Sequence, residues 1–148
     1  MSLRRRDETG SALVEMTWLG VLLLVPLVWI VVSVFEVQRG AFAVDAAARA
    51  AGRAYALAPD ERTALARARA VAAQTLKDQG GDGMKAEVQV TCSNGPGRCL
   101  EGTSVITVVV VSGIELPAMP KVLTGGRTSF ALESSHTLPI GQYVQAGG

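Results

Sequence analysis

Residues 10–35 read GSALVEMTWLGVLLLVPLVWIVVSVF, and this apolar stretch decides how the chain is organised. From Met16 to Phe35 there are 20 consecutive uncharged positions. At a helical rise of about 1.5 Å per residue they span about 30 Å, the thickness of the hydrocarbon core of a bilayer. One carboxylate, Glu15, lies just inside the stretch, where a charge is costly in lipid and needs a partner. The stretch is therefore predicted to be a transmembrane helix.

The residues at the start of this stretch resemble a type IV prepilin processing site. In that family a specialised peptidase cuts after a glycine, and a glutamate stands five positions after the cut, ahead of a hydrophobic helix. Gly10 then corresponds to the last residue removed, Ser11 to the new N-terminus and Glu15 to the glutamate. The Ser11 amine and the Glu15 carboxylate, four residues apart on a helix, share one face. The resemblance implies that this carboxylate meets the amine of a neighbouring subunit and sets subunit registry.

Two other interpretations of the N-terminal segment stay open. The first is a secretory signal peptide with Ala41-Phe42-Ala43 as its cleavage site, although the apolar stretch exceeds the usual core of about 7–15 residues. The second is an ordinary N-terminal anchor, in which the spacing of Gly10 and Glu15 has no meaning.

Basic residues around the apolar stretch indicate its orientation. Positions 4–6 are three consecutive arginines, whereas the arginines that follow the stretch are more widely spaced. The dense cluster favours the cytoplasmic side, and a long following domain is translocated largely regardless of its charge. We therefore predict a single-pass protein of the cytoplasmic membrane. Residues 1–10 form a basic cytoplasmic leader, 11–35 the transmembrane helix and 36–148 an extracytoplasmic domain.

The rest of the chain predicts two helical segments followed by strands. The first helix is expected to continue beyond Phe35 to Ala58, because residues 36–58 are rich in alanine and lack proline. Its packing face is predicted to carry Ala43, Ala47, Ala50, Ala54 and Leu57. A second helix is predicted for Asp60–Asp78, with Pro59 in its first turn and Gly80-Gly81 at its end.

Three strands are predicted after this second helix. Residues 87–92 alternate between polar and apolar, and residues 104–112 contain a β-branched run typical of a central strand covered on both faces. A third strand is predicted near Thr128–Thr137, after a link at 116–120 (LPAMP) and a glycine pair at 125–126. The predicted fold class is α+β. A long N-terminal transmembrane helix continues into an alanine-rich helix, followed by a second helix and a small three-stranded antiparallel sheet.

The order of these parts resembles the TadE-like pseudopilins of the tight-adherence (Flp) pilus systems. Those proteins have a basic tail, a Gly-x-x-x-x-Glu motif, a hydrophobic helix and an alanine- and arginine-rich helix, which residues 45–56 (DAAARAAGRAYA) match approximately. The family usually has an aromatic residue after the glutamate, where this chain has Met16. The resemblance implies a pilin-like fold and a minor pilin that serves the assembly of a Tad/Flp-type surface pilus. The implied partners are a prepilin peptidase, other pilin-like subunits, the inner-membrane assembly platform and the lipid bilayer.

The alternative function is a membrane-anchored surface domain that binds a ligand or partner and does not polymerise. No residue pattern predicts an enzyme, a metal site or a cofactor. His136 is the one histidine, and its neighbours Ser134 and Ser135 point to opposite faces of a strand with no orienting acid. Nucleic-acid binding is also not predicted, because the net charge is +1 and no basic face is clustered.

Two cysteines bracket a turn-rich loop in the predicted external domain. Cys92 and Cys99 enclose Ser93-Asn94-Gly95-Pro96-Gly97-Arg98. Outside the membrane such a pair is expected to form a disulfide, which closes a short loop and stabilises the fold by about 2–3 kcal/mol. Two reduced cysteines are the alternative.

Overall fold

The computed structural model describes residues 9–115 and 129–141, with side chains from Ala12 onward. The elements are α1 (Thr9–Ala56), α2 (Glu61–Asp78), β1 (Glu87–Cys92), β2 (Val105–Glu115) and β3 (Ser129–Pro139). The strands form one antiparallel sheet in the order β1-β2-β3. The predicted α+β fold, with its long N-terminal helix, second helix and three-stranded antiparallel sheet, is confirmed.

Three features predicted from the sequence lie outside the described residues. They are most of the basic leader (residues 1–8), the proline-containing link at 116–120 and the glycine pair at 125–126.

Contacts along the chain define two units, with the boundary between Phe35 and Glu36. In the first unit α1 carries large apolar side chains that are 45–79% exposed. Pro26 lies within this part of the helix. Among the described residues, one helix is long and apolar enough to cross a membrane by length and composition, and it lies near the N-terminus.

In the second unit the core lies between the two helices and one face of the sheet. The residues of α1 that are buried there are mostly small: Gly40, Ala43, Val44, Ala47, Ala48, Ala51, Gly52 and Tyr55. Helix α2 contributes Ala64, Ala68, Ala72 and Leu76. Small side chains let a helix backbone approach its neighbours closely. This part of α1 therefore packs with its backbone close to the side chains of the sheet, and large side chains of its own contribute little.

Two glycines show how close α1 comes to the sheet. A Cβ atom added at Gly40 would lie 2.7 Å from Leu132 Cδ1, and one added at Gly52 would lie 2.9 Å from Leu138 Cδ2. The two glycines are about 18 Å apart along the helix, and the two leucines are about 20 Å apart along β3. Because these distances agree, α1 runs beside β3 and in the same direction.

The packing face of α1 differs from the predicted one. Ala43 and Ala47 are buried as predicted, but Ala50 and Ala54 are half-buried and Leu57 is 81% exposed and lies beyond the helix end. Compared with the predicted face, the face that meets the core is rotated about the helix axis by about a quarter of a turn. The reason is that the glycines, which allow the closest approach, determine which side of α1 meets the sheet.

Helix α2 has well-defined ends. Asp60 is its N-cap, and the Asp60 carboxylate accepts hydrogen bonds from the Thr63 backbone N–H at 2.9 Å and from the Thr63 hydroxyl at 2.8 Å. Pro59 precedes this cap, so the prediction that Pro59 lies in the first turn of α2 is wrong. At the other end Gly80 has φ +78°, and the N–H groups of Gly80 and Gly81 bond the carbonyls of Lys77 and Leu76. This is a Schellman motif, so the predicted glycine stop is confirmed.

Strand β2 lies at the centre of the sheet, as predicted, but only its inner face is buried. The inner face carries the fully buried side chains Ile106, Val108 and Val110. On the opposite face Val105 is 40% exposed, and Thr107, Val109 and Val111 are half-buried. The prediction that β2 is covered on both faces is wrong for the described residues, because the helices contribute to a core on the inner side alone.

Candidate functional site

In the apolar part of α1 the side-chain hydroxyl groups form hydrogen bonds within the helix. Thr17 Oγ1 donates to the carbonyl of Leu13 at 2.8 Å, and Ser33 Oγ donates to the carbonyl of Trp29 at 2.9 Å. Such bonds to the preceding turn suit a helix in lipid, where no water is available to pair with a hydroxyl. The predicted span Met16–Phe35 therefore places its two hydroxyl side chains where they need no external partner.

Glu15 is the exception in this part of the helix. Its carboxylate is exposed, and it makes no hydrogen bond or ion pair with any group from the described part of the chain. Gly10 and Ser11 lie in the same helix, one turn or slightly more before it. The structure thus places the three residues of the predicted processing motif on one helical segment, and within residues 9–115 and 129–141 the Glu15 carboxylate has no partner.

The second unit contains the predicted disulfide. Cys92 and Cys99 are bonded to each other, with their Cα atoms 5.3 Å apart. The enclosed turn uses Gly95 at φ +83° and Gly97 at φ +85°, conformations that other residues rarely adopt. The disulfide prediction is confirmed, and the loop glycines explain how so short a segment closes.

The disulfide loop is attached to the start of α2. The Cys99 N–H donates to Glu61 Oε1 at 2.5 Å, and Glu61 is the first residue of that helix. Tyr55 lines the same surface cleft as Glu61 and Cys99. Burial raises the pKa of the Tyr55 hydroxyl above 10.0, and the charge of Glu61 raises it further. This cluster joins the end of α1, the start of α2 and the disulfide loop.

Ser134 and His136 of β3 contact α1. Ser134 Oγ donates to Asp45 Oδ1 at 3.1 Å, and Asp45 also forms an ion pair with Arg49. Hydrogen bonding from Arg49, followed by that from Ser134, lowers the pKa of the Asp45 carboxyl below 3.8 against the opposing effect of burial. The His136 ring lies against Gly52, 3.3 Å from the position of an added Cβ. Sequence reasoning missed Asp45, although an acid four residues before an arginine on a helix is a recognisable signal.

A cleft of about 520 Å³ lies where α2 ends. The Arg39 guanidinium covers Gly80 so closely that an added Cβ would lie 2.0 Å from Nη2. Charged residues of both signs line the cleft: Glu36, Arg39, Asp82 and Lys85. A cation beside the last carbonyls of a helix is favourable.

In residues 9–115 and 129–141, no group of three or more His, Cys, Asp or Glu side chains could hold a metal ion.

No family model, curated protein or solved structure matches the chain. The class of the protein therefore rests on its own features. It combines one N-terminal helix capable of spanning a bilayer with a disulfide-bonded α+β unit.

Proposed function

We propose that this chain is a membrane-anchored pilin-like subunit, a minor pilin or pseudopilin that serves the assembly of a Tad/Flp-type surface filament. The observation that carries the proposal is Glu15. It is a carboxylate at the edge of a bilayer-length apolar helix, five residues after Gly10, with no partner among the described groups.

The energetics support an intermolecular partner for Glu15. A charged side chain at the centre of a membrane helix costs about 2.5–3.5 kcal/mol on insertion scales, and the cost falls toward the helix end. An opposite charge from another subunit offsets this cost only when that subunit is present. The amine that cleavage between Gly10 and Ser11 creates in a neighbouring subunit is such a charge, and on its own helix it lies only four residues from the level of Glu15.

The proposed mechanism is physical rather than chemical. A prepilin peptidase removes residues 1–10 on the cytoplasmic side, and the remaining helix stays in the bilayer with the disulfide-bonded unit outside. The inner-membrane assembly platform then moves the subunit out of the bilayer and into contact with other pilin-like subunits. The exposed apolar side chains of residues 12–35 pack against neighbouring helices, and the Glu15 carboxylate sets their axial register.

Intact-mass measurement tests the processing step. Coexpression with a cognate prepilin peptidase should shorten the chain by residues 1–10, leaving Ser11 as its N-terminus. Gly10→Leu should block this cleavage, because a large side chain then stands where the peptidase accepts glycine. Gly20→Leu is the matched control, since Gly20 also lies in α1 with no atom within 4 Å of an added Cβ. A mature N-terminus at Val44 would establish the signal-peptide interpretation and contradict the proposal.

Glu15→Ala tests the registry role. Insertion should become easier because a charge is removed from the apolar segment, whereas copurification of other pilin-like subunits and recovery in sheared filaments should fall. Glu36→Ala is the control, because Glu36 is a carboxylate on the same helix just beyond the apolar stretch. Unchanged association and filament yield for Glu15→Ala would favour the alternative, a membrane-anchored binding domain that does not polymerise.

A further inference from the structure

We propose that the open edge of β1 binds an extended segment of a partner protein, which adds to the sheet as a fourth strand. The segment lies in the cleft beside β1, with apolar side chains directed toward the helices and a basic side chain beside Glu87. This inference goes beyond the proposed function and does not rest on it, because residues 10–35 take no part in the contact.

One hydrogen bond shows which backbone groups of β1 face away from the sheet. The Ser93 N–H donates to the Val105 carbonyl at 3.0 Å, and these two residues lie opposite each other where the register of β1 and β2 continues. In an antiparallel pair, directly bonded positions alternate with positions that do not bond across. Counting back from Ser93, the N–H and C=O groups of Val88 and Val90 therefore point to the open edge.

A second hydrogen bond, on the other side of β2, gives the same pattern. The Ile140 N–H donates to the Ser104 carbonyl at 2.7 Å, and these residues continue the register of β2 and β3. Even-numbered residues of β2 therefore bond β3, and its odd-numbered residues bond β1. The even-numbered residues of β1 are left with backbone groups that a further strand can pair.

The outward groups of Val88 and Val90 have no backbone partner in the parts of the chain that the structure describes. Val88 is only 5% exposed and Val90 is half-buried, so little of the Val88 backbone is open to water. Buried backbone N–H and C=O groups are almost always paired. An extended segment suits them as a ligand, because its own N–H and C=O groups recur at the same spacing of about 6.8 Å.

A cleft of about 600 Å³ borders this edge. Residues 88–92 all line it, and since their side chains alternate between the two faces of the sheet, the feature they share is the edge of the strand. Tyr55 and Leu65 from the two helices also line the cleft, as do Pro96 and Gly97 of the disulfide loop. The cleft thus combines a backbone side with apolar side chains.

The two faces of the sheet set the chemistry of the partner. Residues bonded directly to Val88 and Val90 have side chains on the same face as those valines, which belong to the core or pack against it. Apolar side chains suit these positions. On the outer face Glu87 is exposed and forms no ion pair within the described residues, so a lysine across from it is favoured. Helix α2 adds no net charge to the cleft, because Glu61 and Arg69 have opposite signs.

The open edge of β3 is less suited to binding. Its outward groups belong to the odd-numbered residues, of which Pro139 has no N–H and Glu133 carries an exposed charge in mid-strand. Prolines and charged side chains commonly keep an edge strand from pairing with another chain. Strand β1 has no proline, and its one charged residue, Glu87, is its first.

Binding of a defined peptide to the full chain in non-ionic detergent tests the proposal. The probe is a fluorescent seven-residue peptide in which valine alternates with lysine or threonine, and fluorescence anisotropy measures its Kd. Methylation of the valine backbone nitrogens should weaken binding at least tenfold, because these N–H groups face β1 in the bound peptide. Methylation of the lysine and threonine nitrogens, which face away, is the matched control. Equal affinities of the two methylated peptides, or no binding of the unmodified one, would overturn the proposal.

A proline substitution tests the same edge from the side of the protein. Val90→Pro removes an N–H that faces the open edge rather than β2, so the peptide affinity should fall at least tenfold while the sheet still folds. Ser135→Pro is the matched control, because it removes an outward N–H from the edge of β3. Urea titration measures the folding of both variants, and the comparison of methylated peptides uses the wild type alone. Equal peptide affinities of the wild type and Val90→Pro would contradict the proposal.

Self-association has a different signature. Dimers of the wild type that form without peptide and disappear in Val90→Pro would assign the edge to a second copy of the chain, and the proposal of a partner protein would be wrong. Cleavage after Gly10 is measured on another part of the chain. A chain that is processed but binds no peptide therefore overturns this inference alone, and one that binds the peptide but is never processed contradicts only the proposed function.

Discussion

Before Phe35, helix α1 presents bulky apolar side chains in all directions, whereas after Glu36 it places mainly small residues against its neighbours. Both parts belong to one helix, Thr9–Ala56. In the first part, residues such as Leu24 and Leu27 are more than half exposed. In the second part, Ala47, Ala48 and Ala51 are completely buried.

This difference shows that burial and side-chain size are separate properties of a helix. The first part can lower its free energy by leaving water for lipid or for other helices, because no described residue of its own unit covers its apolar side chains. The second part is stabilised by close approach to the sheet, for which bulk would be harmful. The same substitution should therefore have a large effect in one part and little effect in the other.

The largest effect is expected from a charge in the first part. Leu24→Asp places a carboxylate at the centre of the predicted span and should oppose insertion by about 3 kcal/mol. The protein should shift from the membrane pellet to the soluble fraction after alkaline extraction. Leu57→Asp is the control, because Leu57 is also an exposed leucine, 81% against 59% for Leu24, but lies in the second unit. Full membrane retention of Leu24→Asp would contradict the membrane assignment.

The next largest effect concerns the second unit alone. Replacing Cys92 and Cys99 with alanine opens an eight-residue loop and should lower the free energy of unfolding by about 2.5 kcal/mol, mainly through the entropy of the unfolded chain. Urea titration of the detergent-solubilised protein measures this change. Membrane retention should be unaffected, and loss of retention in this variant would show that the two units depend on each other.

A smaller effect, with a direct comparison inside α1, is expected from its glycines. Gly52→Val should destabilise the second unit by about 1–3 kcal/mol, because a Cβ there lies 2.9 Å from Leu138 and 3.3 Å from His136. Gly20→Val should cost nothing by packing, since no atom lies within 4 Å of its added Cβ. Urea titrations of the two variants provide the test. Equal unfolding free energies would show that α1 does not pack closely on the sheet.

The smallest effect should be a pH dependence of the second unit in acid. The pKa of Asp45 is lowered from 3.8, first by hydrogen bonding from Arg49, and that of Asp60 is lowered from 3.8, first by the Thr63 N–H. Because both pKa values are lower in the folded state, the stabilisation is fully present above about pH 4. It is lost as the pH falls through the folded-state values.

Unfolding midpoints of the wild type, Asp45→Asn and Asp60→Asn between pH 2 and pH 5 measure this dependence. Each variant should flatten part of the decline, because asparagine does not titrate. A wild-type decline retained in full by both variants would assign the acid sensitivity to other groups.

The sequence was sufficient for features that depend on local patterns. The apolar run around Leu24 predicted the long first helix, and the glycine pair at Gly80 predicted the end of the second. The alternation in β1 and the β-branched run in β2 predicted a sheet with β2 at its centre. The close spacing of Cys92 and Cys99 in a turn-rich loop was enough to predict their bond.

Features that depend on tertiary approach could not be predicted in the same way. Leu57 matched the period of the helix face, but the core side of α1 is determined by Gly40 and Gly52, whose role is visible only against β3. The valine run in β2 indicated burial without telling how many faces are covered. The Asp45–Ser134 contact joins residues 89 positions apart, and no local pattern carries that information. The partner of Glu15 stays a prediction for the same reason.

The parallel course of α1 and β3 has a mechanical consequence. A pull applied to α1 along its axis acts parallel to the strand that it touches from Leu132 to Leu138. The contacts are then loaded in shear, so that those near Gly40 and those near Gly52 must yield together rather than one after another. Resistance to such a force is set by the barrier to unfolding, not by equilibrium stability. A unit built this way can transmit tension from its first helix into the sheet without peeling apart.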